Sequence, residues 1–169
     1  FLATGSWDQT VKVWDVEKVL QGEVPVPLRT LESTTKVWSV AFSPDSQRLA
    51  SAGGREADEK GELKVWDMNT FQPTLTTNFS WALRCVRFSP DGRRLATAGG
   101  EFVKLKDAET GRELLTCRDP HGALQEVSFS PDGRRLAAAG GHIEVDPGRG
   151  VKVWNAQTGE EVFSLHGHV

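Results

Sequence analysis

Apolar and polar residues alternate in short bursts along this chain, and the bursts come in a fixed order. Val37, Trp38, Val40 and Phe42 mark one burst; Cys85, Val86 and Phe88 mark another. Each runs into Ser-Pro-Asp, then into Leu-Ala and small residues that end in Gly-Gly. The stretch from Phe88 to Gly100 returns almost unchanged from Phe129 to Gly141, and in looser form from Phe42 to Gly54. The three phenylalanines recur with a period of roughly 41–46 residues, which is the signature of a repeat architecture. Alternation with period two predicts half-buried strands.

Each copy reads as two hairpins. In the first, Ser-Pro-Asp-Gly places Pro where φ near −65° is wanted and Gly where φ is positive. The short Leu-Ala-x-Ala strand that follows lets neighbouring backbones approach closely. In the second, Val11-Lys12-Val13-Trp14-Asp15, Leu63-Lys64-Val65-Trp66-Asp67 and Val151-Lys152-Val153-Trp154-Asn155 alternate apolar and charged residues. Thr110-Gly111 and Thr158-Gly159 supply the turn to a fourth strand, at Leu114–Cys117 and Val162–Leu165. The pattern predicts four strands per copy and no helix between them. The pairs Gly53-Gly54, Gly99-Gly100 and Gly140-Gly141 each end a strand and read as tight turns.

Trp14-Asp15 and Trp66-Asp67 closing a strand, the Ser-Pro-Asp-Gly turns and Gly167-His168 after the last strand resemble the WD-repeat β-propeller family. The resemblance runs over nearly the whole chain. It implies an all-β fold of four-stranded antiparallel blades set around a channel, here an incomplete ring of about four blades in one chain. A partial blade lacking its first strand is expected over 1–31, with strands at Leu2–Thr4, Val11–Trp14 and Val26–Thr30 and a surface loop from Glu17 to Pro27. Complete blades are expected over 36–78, 82–119 and 123–165, with 166–169 leading to a next first strand. On this reading the natural N-terminus is missing, and the chain is either a piece of a longer propeller or completes a ring by self-association.

Composition narrows the function classes. Of 169 residues, 25% are charged and 38% hydrophobic, and the net charge is −3, which is ordinary for a globular domain. Slight acidity with no basic cluster argues against nucleic acid as a partner. No apolar run reaches the ~18 residues of a membrane-spanning helix. Cys85 and Cys117 fall on the first and fourth strands of one blade, roughly 14 Å apart at about 4.8 Å per strand, beyond disulfide reach. Two buried thiols suit a reducing compartment, so the cytoplasm is expected.

Little in the chain points to catalysis. The family resemblance implies a structural hydrogen-bond chain among a third-strand Trp, a second-strand Ser or Thr, an Asp in the turn between them and a preceding His. Thr4, Asp8 and Trp14 match three of those positions; Ser51 and Trp66 match two; Trp154 matches one beside Ala138, and Thr97 one with Lys106 in the Trp position. His142, Glu144 and Asp146 form a His-x-Glu-x-Asp run without a fourth ligand or zinc-type spacing, and read as a solvated loop. There is no Gly-x-Ser-x-Gly elbow near Asp119-Pro120-His121-Gly122 and no phosphate-binding glycine motif. No enzyme activity, cofactor or metal is expected. Arg93-Arg94 and Arg134-Arg135 read as solvated turn residues, or as a meeting point for an acidic partner.

The favoured expectation is a rigid protein-interaction scaffold. Its binding face carries the two long links between second and third strands, with Arg55, Glu56, Asp58, Glu59 and Lys60 on one and His142, Glu144, Asp146 and Arg149 on the other. Two alternatives stand beside it. The regular Phe-Ser-Pro-Asp-Gly repetition resembles bacterial WD-repeat segments joined to signalling enzymes such as kinases or NTPases, and the other alternative is a metal- or ligand-binding hydrolase on the same face. As a purified chain the protein is expected to self-associate through the flanks of its end blades.

Overall fold

The computed structural model describes residues 1–22, 24–55, 60–120, 123–140 and 150–166. Fifteen strands form four antiparallel sheets, each a meander in chain order. The first sheet has three strands, β1 (Leu2–Gly5), β2 (Thr10–Trp14) and β3 (Arg29–Glu32). The other three have four each. They are β4 (Lys36–Phe42) to β7 (Pro73–Phe79) through β5 (Arg48–Gly54) and β6 (Gly61–Asp67), then β8 (Cys85–Phe88) to β11 (Glu113–Arg118) through β9 (Arg94–Gly99) and β10 (Phe102–Asp107). The last runs from β12 (Leu124–Phe129) through β13 (Arg135–Gly140) and β14 (Gly150–Asn155) to β15 (Glu161–His166).

Sheets pack face to face in sequence order, the first strand of each lying on the inner strands of the one before. The core is therefore a series of layers. Val11, Val13 and Leu31 meet Leu49, Trp66 and Met68. Ala50, Ala52, Leu63 and Val65 meet Leu83, Val86 and Leu95. Ala96, Ala98, Val103 and Leu105 meet Leu124, Val127, Leu136 and Trp154. The second strands β5 and β9 are covered on both faces, which favours small residues, and a Cβ at Gly53, Gly99 or Gly140 would fall on the carbonyl of Lys36, Ala82 or Ala123. Close approach, not turning, is why glycine stands at these three positions. On the outward flanks Leu2, Phe163 and Leu165 stay exposed, and Ala137 and Ala139 are only partly covered.

Two departures from the sequence reading lie in the first sheet. Residues 16–20 form a short helix, α1 (Val16–Leu20), inside the expected loop. Its cause is Asp15, whose Oδ1 accepts from the N–H of Glu17 at 3.1 Å, as a helix-capping carboxylate does. The fourth-strand equivalent begins at Arg29, because Pro25 and Pro27 cannot donate to a ladder.

Between third and fourth strands the same aspartate position does a different job. Asp67 and Asp107 each accept from two backbone N–H groups and a Thr hydroxyl in a tight turn. The last residue of that turn has positive φ and touches the sheet before it. Leu75 covers Gly111 and Leu115 covers Gly159, so that a Cβ there would have to push the leucine methyls aside. At the first seam the pair is exchanged: Phe71 takes φ 58°, and the Arg29 guanidinium lies 5.1 Å from its ring centroid.

Candidate interaction surface

Backbone pairing sets the two rims apart. On one, the N–H groups of Val37, Leu83 and Leu124 donate to the carbonyls of Ser6, Gly53 and Gly100. That gathers the links between second and third strands with the links between sheets. On the other rim lie the Ser-Pro-Asp turns, bonded to the third-to-fourth turns of their own sheet through Met68, Ala108 and Ala156.

The turn rim is closed on itself. Ser89 donates to Asp91 and accepts from the Arg94 N–H at 2.9 Å, while Asp91 accepts from the Arg93 N–H at 3.0 Å. The Ser43 and Ser130 turns repeat this set. These bonds hold the carboxyls of Asp45, Asp91 and Asp132 below the usual range, the serine hydroxyl being the largest cause. Arg94, and Arg48 at the same place in the looser copy, have a role that sequence reasoning missed. Arg94 donates to the carbonyls of Gly133 at 2.6 Å and Ala156 at 3.1 Å and stacks over Phe129. Arg48 does the same to Gly92 at 2.8 Å and over Phe88. The signal was present: Arg48, Arg94 and Arg135 recur six residues after Phe42, Phe88 and Phe129.

The link rim is organised across sheets. Of the expected loop residues, the structure describes Arg55 and Lys60. Their backbone closes the base of the link, Arg55 N–H to Lys60 carbonyl at 2.9 Å, and the Arg55 guanidinium reaches the Thr34 carbonyl at 3.0 Å. Glu56, Asp58, Glu59, His142, Glu144, Asp146 and Arg149 lie outside the described residues. The residue that secures this rim is Glu62. It is 4% exposed and accepts from Ser33 Oγ at 2.6 Å and from Thr34 N–H at 3.0 Å and Oγ1 at 2.7 Å. Lys64 Nζ lies 3.4 Å away. Burial opposes its charge, yet these partners together hold the Glu62 carboxyl below its usual range.

The tryptophan positions divide. Trp14 Nε1 donates to Thr4 at 3.0 Å and Trp66 Nε1 to Ser51 at 3.2 Å. Asp8 accepts from Thr10 within its own turn. Trp154 is packed at 2% exposure in the last layer. In the third sheet, Lys106 is 7% exposed, donates to the Gly111 carbonyl at 3.2 Å and lies over Phe79; burial lowers its pKa, with Glu113 opposing. Cys85 and Cys117 are free and buried, and burial pushes both thiols up to about 11, so neither supplies a thiolate nucleophile at neutral pH.

The sequence model of the family described as "WD domain, G-beta repeat" matches residues 1–15, 25–67 and 69–105. Among curated proteins, the chain is 37% identical over 70 residues to a eukaryotic translation initiation factor 3 subunit I from Debaryomyces hansenii, covering 40% of this chain and 18% of that protein. It is 39% identical over 61 residues to the protein transport protein sec31 of Neurospora crassa, covering 36% of this chain and 4% of the relative. To its Chaetomium globosum namesake it is 40% identical over 63 residues, covering 37% and 5%. The chain thus spans less than a fifth of the length of these relatives. With more than half of its residues matched by the family model and its four meander sheets stacked in order, the chain belongs to the WD domain, G-beta repeat family.

Proposed function

We propose that this chain is a non-catalytic protein-interaction scaffold that takes its partner on the link rim. The observation that carries this reading is the Glu62 anchorage. A buried carboxylate with three hydroxyl and amide donors fixes the link between the first and second sheets, so that part of the rim is presented as a fixed surface. Loops positioned by a rigid scaffold are where binding is usually placed. One relative is by name a subunit of a larger factor, which fits a role in assembly.

Shortening 53–61 and 140–150 to tight links is expected to abolish partner capture while leaving the melting temperature nearly unchanged. Capture that survives both deletions would move the partner to another surface. The unit boundaries 36–78, 82–119 and 123–165 are the proposed cutting points for such variants. Self-association belongs to the same proposal, through exposed Leu2, Phe163 and Leu165. Light scattering at micromolar concentration should give a mass above the monomer, and a stable monomer would remove that part.

A further inference from the structure

Two side chains on the link rim carry donors that have no acceptor among the described residues, and they touch. Register in the β4–β5 ladder shifts between Val37 and Ser39, so Trp38 is an extra residue in the first strand. The β12–β13 ladder shifts in the same way between Leu124 and Glu126. A bulge of this kind re-aims a side chain out of the regular alternation. Arg84 holds the matching place before β8, its N–H bonded to the Ala98 carbonyl at 2.8 Å. Its guanidinium carbon sits 4.0 Å from the Trp38 ring centroid, joining the second sheet to the third.

The Trp38 Nε1–H is buried and has no hydrogen-bond partner among the described residues. Buried side-chain donors almost always have one. Among the described residues the Arg84 fork also makes no side-chain hydrogen bond or ion pair, in contrast to Arg48, Arg87, Arg94 and Arg118. A guanidinium stacked on an aromatic face keeps its in-plane edge free for a two-pronged acceptor. Beside it on the same rim, Trp7 is 67% exposed with Lys36 Nζ 4.5 Å from its ring centroid, which adds positive charge and apolar surface.

We propose that Trp38 and Arg84 form a carboxylate-binding site for an acidic peptide segment of a protein partner. A Glu or Asp side chain of the partner accepts a bidentate pair from the Arg84 fork, which the Trp38 ring holds in place, and the Trp38 Nε1–H is the further donor at the site. The site rests on the link rim being the binding surface, and it names the chemistry bound there.

The test is fluorescence anisotropy with the full chain and a short labelled peptide bearing two adjacent Glu residues between Gly-Ser flanks. Its Gln counterpart and its phosphoserine counterpart serve as comparisons. The Glu peptide should bind about tenfold tighter than the Gln peptide, with affinity falling as salt rises. Arg84→Gln should lose about tenfold, Arg84→Lys less, and Trp38→Phe a smaller factor with the ring retained. Arg93→Gln, on the opposite rim, should leave binding unchanged, and thermal melts should show each variant folded. Equal binding of the Gln peptide, an unchanged Kd in folded Arg84→Gln or Arg84→Lys, or an equal loss in Arg93→Gln would overturn the site. A phosphoserine peptide bound tenfold tighter than the Glu peptide would overturn the carboxylate assignment. If capture from lysate still depends on the links while the Glu peptide fails to bind, the site falls and the scaffold reading stands.

Discussion

On the turn rim, Ser43, Ser89 and Ser130 each tie down a turn from inside it. On the link rim, Glu62 and Arg55 act across the gap between sheets, and Trp38 keeps a buried donor without a partner. The first arrangement needs only the six consecutive residues from the serine to the arginine, so it recurs wherever Ser-Pro-Asp recurs. The second needs residues 21 to 29 positions apart. The turn rim adds Arg48 and Arg94 across its seams to these local bonds; what sets the link rim apart is a buried donor with no acceptor among the described residues.

The largest expected effect comes from opening the closed rim. Ser89 is fully buried, and Ser89→Ala removes the acceptor for the Arg94 N–H together with the donor to Asp91. A loss of about 2–3 kcal/mol is expected in a urea melt. A loss under about 0.5 kcal/mol would mean that the turn does not depend on its internal bonds.

Next comes the imperfect copy. Ser46 adopts φ 58° where Gly92 and Gly133 have 71° and 67°, a conformation that costs a non-glycine residue about 1 kcal/mol. Ser46→Gly should therefore stabilise by roughly 0.5–1 kcal/mol. A lower denaturation midpoint would show that the serine makes up for its strain.

The smallest effect separates the rims by acid titration. The folded carboxyl of Glu62 lies below its ordinary value, so its contribution is present above the unfolded pKa of about 4.3 and is lost as pH falls through the folded value. Glu62→Gln should be less stable than the parent at pH 7, with the gap closing toward acid. The turn carboxyls Asp45, Asp91 and Asp132 are also held low, so the variant should still lose stability in acid. A gap that stays constant with pH would show that the charge of Glu62 is not what holds the link.

What the sequence revealed follows the same division. Strand order, the Ser-Pro-Asp turns and the positive φ at Ser46 were legible because each is written in adjacent residues. The helix at 16–20 was not, because Asp15 caps a helix in the same position where Asp67 and Asp107 close a tight turn. The contacts of Glu62, Arg84 and Trp38 were missed because they reach a link or sheet distant in sequence, and period-two alternation says nothing about what lies alongside. One trace of the bulge was visible: Val37-Trp38 places two apolar residues together and breaks the alternation.

The outer seams bear on how such a chain can be recombined. Leucine on glycine joins the second sheet to the third and the third to the fourth, with Leu75 over Gly111 and Leu115 over Gly159. Arginine on phenylalanine joins the first to the second. A gene duplication that copied the third repeat behind itself would set Leu115 over another glycine and preserve the fit. One that copied the second repeat behind itself would set Leu75 against Phe71, a far larger side chain than the Gly111 it now covers. Duplication is thus tolerated at one seam and penalised at another, and the order of the repeats is written into the molecule's outer edge.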